Sequence, residues 1–145
     1  MLVEPLAIAF TEPGMSSAKR QAFLAEDYKI LRTVNAFPFA ILKDFKRQGQ
    51  DSLAIADPGQ AFEATDVITD AALPRRRLIF AGVAKESAFV HYERGGFGLS
   101  FVIEFYHLES NQEAVGLWRG FCDRPAKSLD DLRLSIANGL CRGSE

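Results

Sequence analysis

Residues 77–121 read RLIFAGVAKESAFVHYERGGFGLSFVIEFYHLESNQEAVGLWRGF. Four segments of this stretch, 77–84, 87–94, 97–108 and 114–121, are rich in β-branched and aromatic residues. Short polar or glycine stretches separate them, which is the pattern of consecutive strands. Connections this short can only turn the chain back on itself. The stretch therefore predicts a four-stranded antiparallel meander.

The turns predict a register. Glycine readily adopts the positive φ of a two-residue hairpin turn, and Gly95-Gly96 read this way pairs Tyr92 with Leu99, Val90 with Phe101 and Ala88 with Ile103. His91 then lies opposite Ser100. A turn at Lys85-Glu86 sets Val83 beside Ala88, Ala81 beside Val90 and Ile79 beside Tyr92. A turn at Ser110-Asn111 sets Phe105 opposite Gly116 and Ile103 opposite Trp118. Together these turns define an apolar face of Ile79, Val83, Val90, Tyr92, Leu99, Phe101, Ile103 and Phe105. The opposite face is mixed, with His91, Ser100, Glu104, Tyr106 and Arg119 among apolar residues.

Outward from the meander, Ser128 can cap a helix with Asp131 three residues on. Leu129, Leu132 and Ile136 form its stripe, and Asn138-Gly139 ends it. Toward the N-terminus, Ser16 and Ser17 can cap a helix over 17–34, where Phe23, Leu24, Tyr28, Leu31 and Val34 recur at helical spacing. Residues 37–45 and 52–56 read as strands that pair in a short hairpin. Residues 60–72 read as helical despite their β-branched content. Amphipathic helices must bury their stripes, and the apolar sheet face is the natural partner. The expected fold is α+β: a single domain over 1–145 with a mainly antiparallel sheet. It comprises the meander at about 77–121 plus a short N-terminal hairpin, with the N- and C-terminal helices packed on one face.

Composition narrows the function. The chain has 145 residues, 48% hydrophobic and 25% charged, with a net charge of −2. That suits a soluble single domain and leaves no electrostatic footprint for nucleic acid. No run approaches the ~20 apolar residues that span a bilayer, and nothing resembles a signal peptide. The expected location is cytoplasmic, with no membrane partner. Cys122 and Cys141 lack metal-ligand spacing. They are expected as reduced thiols, a bridge between the last strand and the chain end being the alternative. No metal and no cofactor are expected, since neither a phosphate-binding glycine loop nor a nucleophile elbow is present.

The mixed face holds the candidate chemistry. His91 among aromatics could serve as acid or base, against the commoner reading of a hydrogen-bonded sheet histidine. Glu104 with Arg119 could clamp a ligand, against an ordinary cross-strand ion pair. Tyr106 and Ser100 would add polar contacts. Arg75-Arg76-Arg77 is the one basic run and reads as solvated charge at the start of a strand. Three functions follow in order. The first is a non-catalytic module that binds a partner protein or a second copy of itself as a homodimer. The second is a small-molecule-binding domain using His91, Ser100, Glu104, Tyr106 and Arg119. The third is an acid–base enzyme with His91 as base.

Overall fold

The computed structural model describes residues 14–48, 55–64, 73–96 and 98–143. In chain order the elements are α1 (Ser17–Leu24), β1 (Lys29–Leu31), a 3-10 turn (Val34–Ala36) and α2 (Phe39–Gln48). They continue with β2 (Arg76–Val83), β3 (Ser87–Arg94), β4 (Ser100–Leu108), β5 (Ala114–Cys122), α3 (Leu129–Ala137) and β6 (Cys141–Gly143). The six strands form one antiparallel sheet in sequential order. The meander and the α+β class are as the sequence predicts, and α1 and α3 pack together on one side of the sheet.

The N-terminal third departs from expectation. The helix begins where Ser16 caps it, its Oγ accepting from the Lys19 N–H at 3.2 Å. It ends at Leu24 instead of running to 34. Residues 29–31 leave the helix to pair with β2, Ile30 opposite Gly82 and Leu31 opposite Ala81. Extended backbone suits β-branched Ile30, and the ladder with β2 satisfies peptide groups of this segment.

Residues 37–45 are not a strand. Pro38 opens α2, where a missing N–H costs nothing, and its carbonyl accepts from Ile41 and Leu42. Phe37, Ala40, Ile41 and Phe45 are buried while Phe39 is 62% exposed, which is helical spacing and not alternation. This segment therefore supplies no strand to the predicted hairpin. Of the hairpin's second strand, 52–54 lie outside the described residues, and Ala56 makes only an isolated parallel bridge to Arg77. Of the segment read as helical, 60–64 are irregular and 65–72 lie outside the described residues.

The β3–β4 register also differs. Tyr92 pairs with Val102 and Val90 with Glu104, three positions further along β4 than a two-residue turn allows. Gly95 and Gly96 have no positive φ. Gly95 instead makes room for backbone: a Cβ there would stand 2.0 Å from the Glu63 carbonyl oxygen. It admits the crossing chain at Glu63–Ala64, while its own N–H donates to Arg75 O at 2.9 Å.

A shift of three is odd, so it exchanges the faces of β4 relative to β3. The predicted apolar face splits between two cores. Val90 and Tyr92 join Val102, Tyr106, Leu78, Ile41 and Phe45 under α2. Ile103 and Phe105 join Phe80, Phe89, Trp118, Leu132 and Ile136 under α1 and α3. Leu99 is exposed. The sheet is covered on both sides, and each large buried side chain contributes about 1.5–3 kcal/mol of transfer free energy.

The other two turns fare better. The β2–β3 pairing is as predicted from Val83 to Ala81, then slips at a bulge that displaces Ile79 and sets Leu78 against Tyr92. On β4–β5, Phe105 faces Trp118 and Ile103 faces Gly120, two positions from expectation, so the faces hold. Trp118 packs against Phe105 and lies over Gly120.

Candidate functional site

Four of the five predicted site residues come from strand positions on the α2 side. Glu104 and Tyr106 alternate on β4 with Ser100, and Arg119 faces Glu104 directly across β5. His91 points the other way, toward α1 and α3, where it packs edge-on to Phe80. His91 and Ser100 are not opposite; His91 faces Ile103 and Ser100 faces Arg94. The five residues do not share one face.

His91 is fully buried. Its Nδ1 lies 2.8 Å from Val102 O, and its Nε2 accepts the Ala126 N–H at 3.0 Å. A carbonyl must receive a proton and an N–H must find a lone pair, so the ring is the neutral Nδ1–H tautomer. Burial pulls its pKa down to about 4, outweighing the Val102 carbonyl, Glu93 and Asp131, which favour the charged form. Both nitrogens are committed to backbone. His91 pins the 123–128 connection to the sheet and has no free lone pair with which to abstract a proton.

Glu104 is the centre of the polar group under α2, and it is only 5% exposed. Its carboxylate accepts from the Tyr92 hydroxyl, from the Tyr106 hydroxyl at 2.9 Å, and faces Arg119 Nε at 3.4 Å. Tyr106 Oη also lies 3.0 Å from Asp44 Oδ2 on α2. One hydroxyl carries one proton, so Tyr106 donates to one of the two carboxylates at a time. Burial and the Glu104 charge push both tyrosines far up, so they stay protonated donors. For Arg119, burial works against the charged form, but Glu104 and the tyrosines outweigh it and raise its pKa. Glu104, Tyr92 and Tyr106 are joined by these hydrogen bonds, and the Tyr106–Asp44 contact fastens α2 to the sheet.

Asp44 and Tyr92 belong to this group and were not expected there. A strand over 37–45 does not bring Asp44 to this group; helical spacing sets it beside Ile41 and Phe45. The sequence predicts Tyr92 on an apolar face, and its hydroxyl reaches Glu104 from there. The basic run is also reassigned: Arg76 is buried, its guanidinium 4.7 Å from the Phe45 ring centroid and donating to Phe45 O at 2.8 Å. Arg77 pairs with Glu93 at 2.8 Å. Cys122 and Cys141 form a disulfide, correcting the expectation of reduced thiols, because they stand directly opposite on β5 and β6.

One stretch of the meander lacks a strand partner among the described residues. β6 pairs only with Gly120–Cys122. Along Ala114–Arg119, β5 has β4 on one side and no described strand on the other. Val115 is 42% exposed and Leu117 41%. Among the described residues no group of three His, Cys, Asp or Glu is placed to hold a metal ion, and no helix is long and apolar enough to cross a membrane. No protein family, characterised protein or solved structure matches the chain.

Proposed function

We propose that the chain is a non-catalytic, self-associating module in which the open part of β5 pairs with the same strand of a second copy. The β5 edge, which has no strand on its outer side among the described residues, carries this reading. Unpaired strand edges are templates for further pairing, and natural proteins usually blunt them with lysine, proline or a cover. Here the edge carries Val115, Gly116 and Leu117.

Its sequence is self-complementary. Glu113 stands at one end, Arg119 at the other, and apolar residues lie on both sides of Gly116. An antiparallel copy brings the acidic end of one strand beside the basic end of the other. The Glu113 and Arg119 side chains are part-exposed beside their intrachain partners Lys43 and Glu104. The bulge that displaces Leu117 from the β4 pairing limits how far such a ladder extends, so the interface is short and the dimer weak. The ligand-binding and acid–base readings lose support because Glu104, Tyr106 and His91 are already committed to intrachain partners.

Sedimentation velocity over a concentration series tests the proposal. The expected result is a reversible monomer–dimer equilibrium that Val115→Lys and Leu117→Lys each abolish while unfolding is unchanged. A wild-type chain monomeric at its highest attainable concentration, or dimers indifferent to both lysines, would refute it.

A further inference from the structure

We infer that the Cys122–Cys141 disulfide sets how much of the β5 edge is open, and so makes self-association responsive to thiol redox state. The inference rests on the proposed role of that edge, but its structural half stands or falls separately.

β6 is three residues long and lies at the margin of the sheet. Three pairings hold it, Gly120 with Gly143, Phe121 with Arg142 and Cys122 with Cys141, and the last is covalent. Further ties among the described residues are burial of Cys141 beside Leu132 and Ile136, the Asp123 N–H to Leu140 O at 3.0 Å and an exposed ion pair between Arg142 and Asp123. Exposed pairs of this kind contribute little.

The preceding segment is anchored without the disulfide. Ala126 is fixed by His91. Arg124 makes two parallel hydrogen bonds to Asp131, both at 2.8 Å. α3 buries Leu132 and Ile136, and Arg133 reaches across to donate to Leu24 O at 2.7 Å. Cutting the S–S bond therefore frees β6 and leaves α3 seated. Among the described residues, the stretch of β5 with no strand on its outer side then lengthens from 114–119 to all nine residues of β5, Ala114–Cys122.

The chemical step needs a dithiol reductant. Its thiolate attacks one sulfur, the Cys122–Cys141 bond breaks and a mixed disulfide forms. The reductant's second thiol displaces the protein sulfur and leaves as a disulfide. Two electrons and two protons pass to the protein, which ends with two thiols. Both cysteines are buried in the oxidised form, so attack follows fraying of β6.

Trp118, the chain's one tryptophan, reports on the event. Its indole lies over Gly120 and against Gly143, where an added Cβ would stand 2.9 Å from Nε1. Release of β6 uncovers that side of the ring.

The test compares the oxidised chain, the chain treated with dithiothreitol and the Cys122→Ser/Cys141→Ser double variant, with thiol alkylation verifying each redox state. Amide hydrogen exchange is read at 120–122, 141–143 and along α3, together with Trp118 emission and sedimentation. The expected result is loss of protection at 120–122 and 141–143 with α3 retained, a red shift of Trp118, and tighter association in both forms that lack the bond. Unchanged protection after verified reduction overturns the inference, as does loss of α3 together with β6. Freed β6 with unchanged association overturns the regulatory half. Val115→Lys measured in both redox states shows separately whether β5 is the interface at all.

Discussion

Replacing His91 with leucine removes a titrating group and two backbone anchors at once, and pH separates the two effects. Unfolded, the imidazole takes up a proton as pH falls through about 6.5; folded, its pKa is about 4 because the ring is buried. Between those values the unfolded chain binds more protons than the folded one. The stabilisation is thus complete above about 6.5, drains as pH falls, and is gone by about 4. The displacement corresponds to roughly 3 kcal/mol. At neutral pH, His91→Leu leaves the Ala126 N–H and the Val102 carbonyl without their side-chain partner. At about 1–3 kcal/mol for each of the two groups left unsatisfied, the cost is roughly 2–6 kcal/mol. The variant has no imidazole to protonate, so the gap between it and the wild type narrows by roughly 3 kcal/mol as pH falls to about 4. Urea unfolding at a series of pH values, followed by Trp118 emission, measures the gap directly, and the carboxylates common to both proteins cancel. A gap that stays constant from about pH 7 to about pH 4 would refute the burial argument.

Glu104→Ala removes the buried acceptor shared by Tyr92, Tyr106 and the part-exposed Arg119, and leaving the Tyr92 hydroxyl without it should cost about 1–3 kcal/mol. Glu104→Gln, which keeps an acceptor, should cost less; a loss below about 1 kcal/mol for the alanine variant in chemical denaturation would contradict the network. Gly82→Ala sets a Cβ 2.3 Å from the Phe89 ring and should destabilise by about 1–3 kcal/mol. Gly116→Ala meets nothing within 4 Å among the described residues and should be nearly neutral in the same thermal melts, so equal effects at the two sites would undo the packing argument.

Much of the fold was legible in local sequence. The four strands of the meander follow from β-branched and aromatic runs between short connections. Ser16 and Ser128 mark helix starts because a cap is a contact three residues long, and both accept the expected backbone N–H. The β2–β3 turn at Lys85-Glu86 is equally local, and the Ala84 N–H to Ser87 O bond at 2.8 Å closes it.

What tertiary structure decided lies wherever a residue answers to a distant neighbour. Gly95 is glycine because Glu63–Ala64, remote in sequence, crosses over it. Nothing in the Gly95-Gly96 dipeptide distinguishes that need from a hairpin turn. The resulting shift of three exchanged the faces of β4, and with them the surroundings of His91, Glu104 and Tyr106. Phe39 and Ile41 fit a strand's period as well as a helix's; burial of Ala40, Ile41 and Phe45 against the sheet selects the helix. Cys122 and Cys141 meet because α3 returns the chain to the sheet margin, which their spacing cannot announce. The meander follows from short-range propensity and turn chemistry. Its register and its two cores follow from long-range packing, which a single sequence does not display.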